Sequence, residues 1–511
     1  MFMTCKPSSP NRPGWMCITR SKNKSLIGDY LLGKILIHDC RYLVTRPGSI
    51  DGIIEDGAVY IEGSQIVAVG KTQEVSGQYS GQPGIDILDA RNKVVLPGLV
   101  DAHNHVGEVH TLLVPGWLDP PISGIFDAMD RMYWPAYNWL TEQSTYDLTM
   151  FGLMHLIKHG VTTHSDAMIF PEAIYRASVD AKARTVIYPQ MVSDVHLADA
   201  HDEMEYLAHS EAVIRDYHNT AGGLIQVGVH PSAMFNCSEM LLTHSMEIAQ
   251  KYGVQLVTHL AESPEEMARH IEMFGKVGGV VRYMNLIGLL GPKTVIFHGT
   301  MLDEADIDIL AETGTALVHC PVTNAWFGHC AYLPYMLKAE LRVGLGTDCI
   351  THNMFSVMNS VLQHHNIMPR RLRGVEPARI FELATLGGAH VLGMEDSVGS
   401  LEPGKKADLI TLDLHDNSSL FPLSPQVLYD MLTLNGAGSE ACDVLVDGVF
   451  LRRDSKFTFL DEAAIIARAR EWCDRFSQDY QRMKRANQPM YRQIFNDFQY
   501  SFGGKNGTNP D

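Results

Sequence analysis

The chain reads as an α/β protein, a (β/α)8 TIM barrel with a small composite β-sandwich domain built from both ends of the sequence. Three observations predict this. Between about residues 96 and 399, apolar strand-like runs alternate with amphipathic helical stretches, and repeated β-then-α units imply a parallel sheet. Outside that region the pattern changes to short apolar runs cut by glycine and aspartate, which suit a β-sandwich. In the middle region the polar residues fall at the ends of the apolar runs, where a barrel delivers side chains to its mouth. At 511 residues, 45% of them hydrophobic, the chain can build such a barrel and an accessory domain.

Residues 1–28, with the run MFMTCKPSSPNRPGWMCITRSKNKS, are basic and polar and lack the apolar segment of a secretory signal. A disordered extension is expected there. The runs KILIHDC, GAVYIEG, QIVAVG and IDILDA mark residues 29–95 as the first part of the sandwich. KADLITLDL and DVLVDGVFLRR, within residues 400–455, supply the second part. The barrel occupies residues 96–399, with strand-like runs at VVLPGLVDAHNH, GVTTHSDAM, ARTVIYPQMV, GLIQVGVHPS, GVQLVTHLAES, KTVIFHGTML, TALVHCPVTN and LRVGLGTDC. Segments such as SPEEMARHIEMF and LDEADIDILAETG supply helices between them; the SPEEM turn reads as a solvated face. Residues 456–511 hold C-terminal helices and a tail, with Pro489 expected to break the helical run.

The bulk numbers exclude several classes. A formal net charge of −18 is the wrong sign for gripping phosphates, so the letters HNH at 103–105 do not read as a nuclease motif. The same charge argues against an anionic membrane surface, and no run of about eighteen apolar residues suggests a spanning helix. The nine cysteines are odd in number, scattered and without a CxxC pair, which fits a reducing, cytoplasmic setting better than a disulfide framework.

The first barrel run carries His103 and His105. On a strand, residues i and i+2 share a face, so both imidazoles can meet one metal. Imidazole suits zinc, iron, copper or nickel. An HxH pair alone is a weak signal and fits packed, hydrogen-bonded strand-end histidines better than a metal. Later runs change that balance: one ends in His259 and then Glu262, another in His298, another in Asp348. Desolvated imidazoles and carboxylates are costly without partners, and a cation serves them all.

These motifs, in this order and with the closing LEPGKKADLITLD, resemble the amidohydrolase superfamily across nearly the whole chain. The branch they resemble holds methylthioadenosine/adenosylhomocysteine deaminases, guanine-type deaminases and triazine hydrolases. The resemblance implies one divalent metal per chain, Zn2+ first and Fe2+ as the alternative, held by His103, His105, His259 and Asp348. It casts Asp348 as proton acceptor, His298 as the histidine facing the metal-held water, and Glu262 as proton donor to a ring nitrogen. His230, Glu262 and Asn324 would touch substrate; Asn324 matches a family Ser-Asn pair, with Thr323 in place of the serine, that also suits a loop brace. No lysine stands beside His230 and Pro231, which favours a single metal. Relatives are commonly dimers or tetramers, so a homo-oligomer is expected.

Other residues are weaker candidates. Trp117, Trp134 and Trp326 could wall a flat substrate, or simply pack in the core. Asp101 could brace the metal site or cap a strand. His319 and His329 suit loop hydrogen bonding, and Cys237 and Cys349 lack the neighbouring base of a nucleophile. Where nucleoside-deaminating relatives carry a ribose-binding glutamate, the stretch MYWPAYNW has Ala136. A small heterocyclic or aromatic amine is therefore the expected substrate, with no nucleic acid or membrane partner. The rival readings are the same metal chemistry with chloride, an alkylamine or an amide amine leaving, and a silent scaffold. Retention of all four ligands argues against the scaffold.

Overall fold

The structure, a computed structural model, describes residues 33–200, 202–367, 374–414, 419–439, 441–486 and 492–493. The expectations for residues 1–28 and for a break at Pro489 lie outside them. Eight strands form the barrel: Leu99–Asp101, Val161–Met168, Arg184–Met191, a fourth in two pieces at Ile225–Val227 and His230–Pro231, Leu256–Leu260, Thr294–His298, Ala316–His319 and Arg342–Leu345. The first four pair in parallel, as do the last four. A parallel bridge from Val229 to Leu256 joins the fourth strand to the fifth. At the other seam Ala102 N–H donates to Leu345 O at 2.9 Å, and Asn104 pairs with Asp348. The barrel is therefore closed.

Inside it, Val100, Val186, Tyr188, Val257, Val295, Phe297 and Val318 form one buried cluster, the layered filling expected of branched and aromatic residues on alternate strands. A Cβ at Gly346 would lie 2.8 Å from His103 O, so only glycine lets the end of the eighth strand approach the first. The helices between strands start and stop where local chemistry directs. Ser238, Ser263 and Asp303 cap helices Glu239–Tyr252, Pro264–Phe274 and Glu304–Thr313 by accepting backbone N–H bonds.

The two strand-rich ends of the chain join in one nine-stranded sheet. Its seam is antiparallel, Lys93–Pro97 against Leu409–Asp413, and the first of these runs directly into the first barrel strand. Buried Arg184, opening the third barrel strand, makes a bidentate pair with Asp408 at 2.8 and 2.9 Å and ties the barrel to this sheet. Helix Glu462–Arg485 carries the expected C-terminal helical character. It packs on helix Glu142–Lys158 and on the segment after the first barrel strand. Among the described residues no helix is long and apolar enough to cross a membrane, and the described cysteines are free thiols.

Candidate active site

At the C-terminal ends of the strands, His103, His105 and His259 bring ring nitrogens within 4.8 Å of one another. Their tautomers are set from behind. His105 Nδ1–H points at Ala167 O, 2.6 Å away, and His259 Nδ1–H at Ser232 O, 2.8 Å away. Each then aims a lone pair on Nε2 into the cluster, as metal-binding histidines do. Both ring nitrogens of buried His103 lack any hydrogen-bond partner among the described residues. Asp348 Oδ1 lies 3.6 Å from Nε2 of both His103 and His105. That is too long for a hydrogen bond and close to the spacing of two ligands each about 2.0–2.1 Å from one zinc ion. The donor set, N and O ligands with an orphaned imidazole, fits a divalent metal. Cys320 also lies with His103 and Asp348 in a group of potential ligands.

The backbone bends to deliver these groups. Both His298 and Asp348 have positive φ, 72° and 56°, and Ala261 before Glu262 has 54°. Left-handed backbone at non-glycine residues costs about 1–3 kcal/mol and concentrates at functional sites. Asp101 anchors the eighth strand end: its carboxylate accepts from Thr347 N at 2.9 Å and Asn104 Nδ2 at 2.7 Å. It is a brace between first and eighth strands.

Glu262 Oε2 lies 3.8 Å from His298 Nε2, which is 3.9 Å from Asp348 Oδ2. Burial raises the Glu262 carboxyl above its ordinary range and so favours its protonated form. Burial opposes the charged form of His298 too, but Glu262 and Asp348 outweigh it and raise the imidazole. Asp348 is held well below the usual carboxylate range; burial works against this, and the neighbouring His103, His298 and His105 prevail. The arrangement sets a carboxyl raised by burial, an imidazole raised by its carboxyl neighbours and a carboxylate held low around one cavity.

Several expected substrate contacts fall elsewhere. Trp117 does not line the cavity; it packs on Phe476 and Tyr480 of the C-terminal helix, with ring centres 6.4 and 5.6 Å apart. Asn324 is fully buried and accepts from His298 Nδ1 at 2.9 Å, so it holds the imidazole rather than substrate. Its amide continues to His319 Nδ1 at 3.4 Å, and His319 Nε2 lies 3.4 Å from His365 Nε2. His230 lies against His259, Nε2 to Nδ1 3.3 Å, and is fully buried. Trp134 does line the cavity, whereas Trp326 is exposed at the surface and His329 takes no part in the lining. Cys349 lines it with its thiol raised by burial, and Cys237 lies outside it, also raised by burial.

Other lining residues went unnoticed in the sequence. Glu108, Tyr133 and Tyr137 share the wall with Ile125 and Met129, and Gln190, Ser232 and Phe235 complete the rim. Tyr137 O–H donates to Glu108 Oε1. Glu266 was hidden in the SPEEM turn, which is not merely a solvated face. Its buried carboxylate accepts from Ala261 N at 2.9 Å and Glu262 N at 2.7 Å and fixes the turn that carries Glu262. The spacing of a capped helix start, with a glutamate three residues after Ser263, was the available signal.

The comparisons with known proteins agree with this geometry. The chain is 28% identical over 460 residues to a 5-methylthioadenosine/S-adenosylhomocysteine deaminase of Thermodesulfovibrio yellowstonii, covering 87% of this chain and 99% of that protein. It is 29% identical to a 5'-deoxyadenosine deaminase of Methanothermobacter thermautotrophicus, covering 83% and 96%. A zinc-bound adenosine deaminase structure from Xanthomonas campestris superposes with a TM-score of 0.79 at 24% identity, covering 87% of this chain and 98% of that one. The model of the amidohydrolase family matches residues 94–451. The chain belongs to the amidohydrolase family, as a metal-dependent hydrolase acting on carbon–nitrogen bonds other than peptide bonds.

Proposed function

We propose that the residues Glu262, His298 and Asp348 carry out hydrolytic deamination of a heterocyclic amine, with Zn2+ held by His103, His105, His259 and Asp348. The observation that carries this reading is the run of close contacts Glu262–His298–Asp348 along one side of the cavity, 3.8 and 3.9 Å. A divalent ion there supplies Lewis acidity, lowering the pKa of water to about 7. Asp348 Oδ2, the oxygen turned toward His298, accepts the proton of the attacking water. Glu262, whose carboxyl burial raises, donates to the ring nitrogen beside the attacked carbon. His298, its imidazole raised by two neighbouring carboxyls and its ring fixed by Asn324, orients the attacking oxygen and offsets developing negative charge. As the adduct collapses, the amino group takes the proton held by Asp348 and leaves as ammonia, while the adduct's hydroxyl gives its proton to Glu262, so that both carboxyl groups are restored.

The names of the two sequence relatives support an amino leaving group and an adenine-type ring. A cytoplasmic setting and a dimer or tetramer belong to the same proposal; free, mostly buried thiols support the former. Ammonia release from aminated purines, pyrimidines, pterins and triazines, with Glu262→Gln as the blank, tests the reading. Glu262-dependent ammonia is expected from at least one purine. Silence across the panel from protein holding one metal per chain would replace it with another leaving group.

A further inference from the structure

Asn324 holds His298 through an amide, whose two ends have nearly the same shape and opposite hydrogen-bonding sense. With Oδ1 turned to His298 Nδ1, 2.9 Å away, that ring nitrogen carries hydrogen. Turned about, the amide would offer an N–H instead. Nδ1 would then have to accept, and the ring hydrogen would move to Nε2, the nitrogen 3.8 Å from Glu262 and 3.9 Å from Asp348. Which end of the amide faces His298 therefore decides what His298 presents to the reacting groups.

The far end of the amide breaks the tie. There Nδ2 meets His319 Nδ1 at 3.4 Å. The contact is long, but both residues are fully buried, so no bulk water competes for it. An imidazole nitrogen accepts from an amide only when it carries no hydrogen, so the His319 hydrogen lies on Nε2. Burial, and then His365, His364 and His298, hold the His319 imidazole well below its ordinary range and so keep it neutral. Its Nε2 faces His365 Nε2 at 3.4 Å. Of two nitrogens facing each other only one carries hydrogen, so His365 Nε2 accepts, and the series ends at His365 Nδ1, which meets no partner among the described residues. Each assignment fixes the next, from the helix Met354–Ile367 through the end of the seventh barrel strand to the sixth.

We propose that His319 and His365 are positioning residues for His298: they hold the Asn324 amide in one orientation and so keep hydrogen on His298 Nδ1. Neither lines the cavity. Nε2 is thereby left to accept from the attacking water or, once protonated, to donate to it; the turned amide would leave it only the second role. The inference rests on the proposed reaction for the use made of His298, whereas the hydrogen positions stand apart from it.

The test is nitrogen-15 NMR of the zinc-loaded full chain with labelled histidine, the ring signals assigned through bonds from the backbone. A ring nitrogen that carries hydrogen and one that does not resonate in separate ranges. In the unaltered protein His298 Nδ1 carries hydrogen and His319 Nδ1 does not; the reverse pattern overturns the proposal. His319→Leu removes the acceptor. The His298 Nδ1 signal then moves toward the hydrogen-free range, and kcat in the ammonia assay falls about tenfold, the lower end for an outer partner, with KM and zinc content unchanged. His319→Asn puts an acceptor oxygen near the place of Nδ1 and restores most of both. His365→Leu, one link farther out, moves both the same way by a smaller factor, and decides the matter if His319→Leu does not fold. A fall in kcat with the His298 signal unmoved is loss of packing alone and overturns the proposal, as does a signal unmoved in both leucine variants. The expected signals with no ammonia from any compound overturn the deaminase reading and keep this one. Ammonia release with the reverse pattern keeps that reading and overturns this one.

Discussion

The two walls of the cavity are built on different principles. One consists of strand ends: His103, His105, His259, His298 and Asp348, each fixed by the barrel's hydrogen-bonded frame and by buried braces such as Asp101, Asn324 and Glu266. The other is the irregular stretch from Glu108 to Trp139, a succession of short 3-10, π and α turns. That wall has no sheet beneath it. It is clamped from outside by helix Glu462–Arg485, where Phe476 inserts among His110, Trp117 and Trp139 and the Tyr480 hydroxyl donates to Arg131 O at 2.6 Å. The difference teaches that reaction and recognition can fail separately: the first wall depends on the barrel, the second on a helix more than 300 residues away in sequence.

Mutations should break the two walls apart. His105→Ala has the largest expected effect: zinc is lost and turnover falls by more than the ~10–100-fold typical of an outer partner, read by metal analysis alongside the ammonia assay. An active, metal-replete His105→Ala protein would remove the strand-end wall from the chemistry. Glu262→Gln keeps zinc and loses about 10²–10⁴-fold in kcat, the usual range for a lost proton donor; unchanged kcat would exclude Glu262. Phe476→Ala should cost about 3–5 kcal/mol in denaturant unfolding by opening a cavity behind the second wall. It should raise KM while leaving zinc content intact, and metal loss in that variant would erase the distinction between walls.

One effect shows itself through pH alone. Asp166, on the second barrel strand, accepts from Val106 N at 3.3 Å and so holds the chain as it leaves the HxH strand. Burial pushes its carboxyl up to about 8. The folded form thus binds the proton more tightly than the unfolded chain does, with an ordinary value near 3.8. That contribution to stability is complete below about pH 4 and is lost as pH rises through about 8. Asp166→Asn should flatten this part of the stability-against-pH curve, measured by denaturant midpoints from pH 4 to 9.

Legibility in the sequence followed the same division. Strand ends announce themselves, because an apolar run followed by histidine or aspartate is a local pattern, and His103, His105, His259, His298 and Asp348 all emerged from it. Alternating runs also gave away the closed barrel and the strands at both ends. The second wall offered no such pattern. Glu108 sits in an irregular turn, and its tie to Tyr137 spans 29 positions without periodicity. Trp117 looked like a pocket residue because aromatic faces suit heterocycles, but its neighbours come from the far end of the chain. Asn324 and Glu266 were assigned to substrate and solvent because a sequence does not reveal which buried backbone or imidazole needs an acceptor.

The seam between Lys93–Pro97 and Leu409–Asp413, together with the clamp by Phe476, also bears on biosynthesis. A ribosome releases the proposed metal ligands long before residues 409–485, so the strand leading into the HxH motif waits with only its earlier neighbour, Lys34–Val44, while the rest of the barrel is translated. The recognition wall waits longer still. Catalytic competence is thus a property of the nearly finished polypeptide, and a nascent or truncated chain ending before residue 476 holds every ligand for the ion without a completed place for the substrate.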